Sequence, residues 1–170
     1  MFVTRLLAIL AYALLTPPVY AFNLTGNTWP ESTTEFHVGM TGADGLWNRS
    51  FEDAMAIWNG STDFEYRIFR NDFRNPCVRS GEFGFPANGV KFSATACDEI
   101  WGETTIAITI PWVDLFNPNQ LAQTGIVFNS NESWNVYSGP LRLGTWLGIN
   151  DFQRVAIHEL GHALELYIAT

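Results

Sequence analysis

Lysine is almost missing from this 170-residue chain: Lys91 stands alone beside eight arginines. Acidic residues outnumber basic ones by 17 to 9, for a net charge of −8. With no basic cluster to neutralise a phosphate backbone, the charge argues against nucleic-acid binding. Cysteine is scarce too, at Cys77 and Cys97 only. Neither has a partner at Cys-x-x-Cys spacing, which argues against a thiolate metal site. There is no internal repeat and no low-complexity tract. No apolar run reaches the roughly 20 residues that span a bilayer. Aromatics, by contrast, are plentiful. Seven Trp and thirteen Phe offer more apolar surface than a disordered chain carries. The length then bounds the answer to one folded domain.

The first 21 residues differ from the rest. Arg5 supplies a positive start, Leu6 to Leu15 is apolar, and Pro17-Pro18 ends any helix. Val19 and Ala21 are small residues at cleavage-site spacing. Residues 1–21 read as a signal peptide cut near Ala21, which implies a secreted or periplasmic chain. In such an oxidising compartment Cys77 and Cys97 are expected to pair. They would close a loop of about 20 residues, worth roughly 3 kcal/mol.

Residues 22–34 are polar and contain Pro30, and read as an irregular leader. Trp47, Phe51, Ala54, Met55 and Trp58 fall on one helical face, so a helix is predicted over about 45–59 with Gly60 as its stop. The two Trp read as core. Strands are predicted at 35–38, 64–70, 90–94, 104–110 (ending at Pro111) and 126–129. Asn71 to Gly89 reads as a long loop, and 141–147 is ambiguous. A last helix, capped by Asn150 or Asp151, runs through Phe152, Val155, Ala156, Leu160, Ala163 and Leu164. The order predicts an α+β domain, a twisted mixed sheet packed on two helices.

That last helix carries His158-Glu159-Leu160-Gly161-His162. Residues four apart share a helix face, so two imidazoles can converge on one Zn²⁺. Glu159 sits beside the first ligand, placed to act as general base toward a water whose pKa zinc lowers to about 7. Chance produces His-Glu-x-x-His in on the order of one in 200 chains of this size.

Val155 to Leu164 resembles the zinc helix of the metzincin peptidases, in their matrixin-like branch. Weaker likenesses lie upstream. Residues 51–59 resemble the family's first helix. Ile106 to Thr109 resembles the edge strand along which substrate lies, and Ile126 to Asn129 with Trp134 resembles the next strand. The resemblance implies a zincin-like upper subdomain over 35–170, zinc as cofactor, and hydrolysis of a protein or peptide substrate. It assigns His158 and His162 to the metal and Glu159 to catalysis.

The family pattern continues with Gly, then a third His, then a Met turn. Here Glu165 stands at the Gly position and Ile168 at the His position, and no Met follows Met55. The reading is therefore of a domain incomplete at its C-terminus, without its lower subdomain, that binds zinc weakly. A non-catalytic exported binding domain with a vestigial zinc helix is the alternative. Glu165 could lean back toward the metal or be a solvated helix-end residue on a helix that simply continues. His37 reads as a strand residue. A calcium site at Asn129, Asn131 and Glu132 competes with an ordinary turn.

Overall fold

A computed structural model describes residues 22–24, 26–80, 87–139 and 148–168. The expected signal peptide and the ambiguous 141–147 lie outside the described residues. The elements in order are β1 (Phe22–Leu24), β2 (Thr33–Val38), α1 (Leu46–Ser61), β3 (Glu65–Arg70), β4 (Asn88–Ser93) and β5 (Ala107–Val113). They continue with β6 (Leu121–Asn129), β7 (Ser133–Asn135), β8 (Ile149–Asp151), α2 (Phe152–Ala163) and β9 (Leu166–Ile168).

Five strands form one sheet in the order β3-β2-β4-β6-β5. Four of them are parallel, and β5 runs antiparallel along β6 at the edge. The fold is thus a mixed sheet with two helices, as the sequence predicts. Among the described residues no helix is long and apolar enough to cross a membrane.

Strand alternation explains the core. Phe36 and Val38 of β2, Val90 of β4, and Ile126 and Phe128 of β6 share one face. Against them lie Phe51, Ala54 and Met55 of α1, and Phe152, Ala156, Leu160 and Ala163 of α2. Trp47 and Trp58 pack against this cluster half-buried, as predicted. Phe152 is fully buried with its ring 4.6 Å from Phe128, 5.2 Å from Trp47 and 5.4 Å from Phe92.

Over the opposite face runs a strap of chain, residues 71–80, that crosses the strands after β3. Glycine makes the crossing possible. Gly89 and Gly125 are register partners in β4 and β6. A Cβ on either would overlap the carbonyl of Arg74 or Pro76 in the strap. The end of the strap is fastened at several points. Cys77 is disulfide-bonded to Cys97. Gln123 Nε2 donates to Val78 O at 3.0 Å, and Gln123 Oε1 accepts from Ser80 N at 2.9 Å. Arg79 Nη2 donates to Val113 O at 2.8 Å. With both sides covered, eight of the nine residues of β6 are buried.

Several boundaries differ from expectation: β6 starts at Leu121 rather than 126, β5 at Ala107 rather than 104 and β4 at Asn88 inside the expected loop. Gly60 does not stop α1; the helix runs to Ser61, and Thr62 caps it by donating from Oγ1 to Trp58 O at 2.9 Å. Pro111 does not end β5, because an edge strand tolerates a residue without an N–H. The leader is not wholly irregular: Phe22–Leu24 pairs antiparallel with Leu166–Ile168.

Candidate metal centre

Helix α2 is placed by its neighbours. Trp58 of α1 donates from Nε1 to Ile157 O at 2.8 Å. Its ring lies so close that a Cβ on Gly161 would come within 3.0 Å of it. The glycine inside the motif is therefore the seat of a tryptophan ring. Tyr66 of β3 donates to Leu160 O at 2.7 Å. Burial pushes the Tyr66 phenol well above its usual pKa, which keeps it a donor.

With the helix fixed, His158 and His162 fall together. Their Nε2 atoms lie 3.0 Å apart and their rings meet edge to face. Two imidazoles bound tetrahedrally at 2.0–2.1 Å would hold their nitrogens about 3.3 Å apart. The separation is close to that spacing, and it is also a hydrogen-bond distance between the two rings. Partial desolvation, and then the neighbouring His162, hold His158 below the usual histidine value. That favours the neutral ring a metal needs.

Glu159 is buried between α2 and β5. Its Oε2 accepts from Thr109 Oγ1 at 2.7 Å, and the same hydroxyl lies 3.0 Å from the Glu159 carbonyl. Burial raises the Glu159 pKa, while the Thr109 hydrogen bond and the His162 charge oppose the rise. A cleft of about 340 Å³ opens beside it, between Thr104–Ala107 at the head of β5 and Arg154, Val155, His158 and Glu159 of α2. The edge strand and the motif helix thus share one depression.

No protein-family model matches this chain, and no curated protein is found to resemble it.

Among the described residues no cluster of three or more His, Cys, Asp or Glu side chains is arranged to hold a metal. His37 lies elsewhere, on the sheet face opposite the helices, because it alternates with Phe36 and Val38. There its Nδ1 meets Asp72 Oδ2 at 2.8 Å and its ring stacks on Phe69 at 5.0 Å.

Glu165 differs from expectation in two ways. The helix does not continue through it. Glu165 takes φ +65°, its N–H bonds His162 O at 2.8 Å, and the chain turns into β9. This is the left-handed helix ending that glycine normally supplies. Nor is it a solvated residue, since it is only 2% exposed. Asn27 Nδ2 donates to its Oε2 at 3.5 Å, and Oε1 has no hydrogen-bond partner among the described residues. Burial raises its pKa against the pull of Asn27 and His162. The leader closes this end as well, through Trp29 Nε1 donating to Ala163 O at 2.8 Å.

The residues considered for calcium are engaged with the protein itself. Asn129 Nδ2 donates to Thr105 O, its Oδ1 accepts from Asn131 N, and Asn131 Nδ2 donates to Ala94 O. Glu132 Oε2 accepts from Asn150 Nδ2 at 3.3 Å. Sequence reading missed Thr109, Asn27 and Trp29. A threonine in a β-branched strand carries no signal that it will face a carboxylate one helix away.

Proposed function

We propose that this chain is an exported zinc-dependent endopeptidase of the metzincin type, with a metal site weakened by its ligand count. The observation that supports this is the convergence of the two Nε2 atoms beside Glu159 and the edge strand. His158 and His162 hold the ion. Zinc, when bound, polarises the peptide carbonyl and makes water nucleophilic at neutral pH. Glu159 takes the proton of the attacking water and passes it to the leaving amine. Its burial makes it a stronger base than a solvated carboxylate. Thr109 holds the carboxylate in place by its hydrogen bond. Strand β5 offers an open backbone edge along which an extended peptide can lie.

Catalytic zinc sites ordinarily have three protein ligands. Two imidazoles support the second reading, an exported binding domain that keeps the helix without turnover. One set of measurements separates them. Zinc titration against a competing chelator should give weak binding, lowered at least tenfold by H158A or H162A and unchanged by E159Q. Casein should be cleaved little or not at all. Introducing E165G with I168H should tighten zinc binding. Zinc affinity indifferent to both histidines would sink the metal site. A submicromolar one-to-one complex with cleavage lost in E159Q would instead show a working enzyme and end the second reading.

A further inference from the structure

The four parallel strands end on one edge of the sheet, at Val38, Arg70, Ser93 and Asn129. From β2 the chain leaves through α1 toward β3, on one side. From β4 it leaves toward β5 and β6, on the other. Between β2 and β4 the two exits diverge. In open sheets such a divergence leaves a crevice outside the carboxyl ends of the strands, and ligands bind there. This sheet has that crevice. A cavity of about 350 Å³ is lined by Gly39, Met40 and Thr41 after β2, Phe73 after β3, and Lys91 and Phe92 of β4. It shares no residue with the cleft beside His158.

The lining is built rather than incidental. Met40 is buried, and its backbone is held from both sides by Asn48. The Asn48 Oδ1 accepts from Met40 N at 2.9 Å, and its Nδ2 donates to Met40 O at 3.0 Å. Phe73 is 54% exposed, an aromatic ring left without a core to enter. Lys91 is the chain's single lysine. Its Nζ donates to Asn75 Oδ1 at 3.1 Å, and an ammonium has three donors to give.

We infer that this cavity binds a small organic monoanion, a carboxylate carried on an aryl or alkyl body. One cation matches one negative charge, and the exposed Phe73 ring matches an apolar body, while Met40 and Phe92, whose side chains are packed into the core, close the cavity from behind. A volume near the lower end of ligand pockets limits the body to a small one. The inference does not rest on the peptidase reading.

The test is a titration of the full chain with 3-phenylpropionate, and with 3-phenylpropan-1-ol as the uncharged match, followed by amide NMR. Saturable one-to-one binding of the acid is expected, with shifts centred on Gly39–Thr41 and Lys91–Phe92. The alcohol should bind at least tenfold more weakly. K91M should lose at least tenfold in affinity, K91R should keep most of it, and H158A should change nothing. Absence of saturable binding overturns the inference, as does an alcohol that binds equally well. Shifts centred on α2, or sensitivity to H158A, also overturn it, because the anion then occupies the metal centre. The acid–alcohol comparison uses the unmodified protein, so it decides the matter even if K91M does not fold.

Discussion

The two faces of the central sheet are closed by opposite means. One face is filled by bulk: Phe36, Phe51, Phe128, Phe152 and their neighbours interlock between sheet and helices. The other is closed by the absence of bulk: Gly89 and Gly125 let the backbone of the strap rest on the strands. Large side chains gain by removing apolar area from water. The glycine face gains less that way, with Val127 buried beside Gly125, and depends more on close backbone approach, a disulfide and side-chain hydrogen bonds. Stability in this molecule is thus bought differently on each side, and the sides should fail differently.

The largest effect is expected on the aromatic side. F152A leaves a cavity among four rings and should cost about 3–5 kcal/mol, read as a lower urea midpoint at unchanged slope. Replacing both cysteines by serine should cost about 3 kcal/mol, and the loss should fall on the strap side. Hydrogen exchange checks this: protection should fall first in β6 near Gln123. If F152A and the cysteine variant deprotect the same amides, the two faces are one unit and the contrast collapses. G125A should cost about 1–3 kcal/mol by lifting the strap, although alanine is the smaller insult anywhere else in a sheet. E165G should do the reverse and stabilise by about 1 kcal/mol, since the left-handed ending favours glycine. A destabilised E165G would mean that the buried carboxylate contributes more than the backbone strain costs.

The smallest effect is a pH dependence at the start of the strap. The hydrogen bond from His37 is the largest influence and holds the Asp72 carboxyl below the usual value; desolvation, next in size, opposes it, and the Arg74 charge adds to the lowering. A depressed carboxylate stabilises the fold above its unfolded pKa, and that contribution is lost as the pH falls through the folded value. Acid titration of stability should therefore be less steep in D72N than in the parent below about pH 4. Equal slopes would remove Asp72 from the account.

Much of this was legible in the sequence because it is local. The 3.6-residue stripe from Trp47 to Trp58 announced α1, and the alternation of Phe64 to Arg70 announced β3. The His-Glu-x-x-His spacing placed two imidazoles on one face, where they lie. What escaped depends on tertiary partners. Nothing in the loop after Asn71 tells which face of the sheet it crosses. Nothing near Thr109 tells that Glu159 will turn to it. Glu165 misled for a clearer reason: side-chain preference speaks for helix continuation, yet Trp29, Asn27 and the β1–β9 pairing hold the turn that glycine would make freely. Pro111 misled because propensity is blind to whether a strand lies at an edge.

The paired glycines have a consequence for strand alignment. A slip of β4 along β6 by one residue would reverse which side chains face the helices. It would also separate Gly89 from Gly125 and bring a Cβ beneath a carbonyl of the strap. The strap therefore acts as a gauge laid across the sheet: it seats only when both gaps line up, so the correctly aligned sheet is the one it can lock.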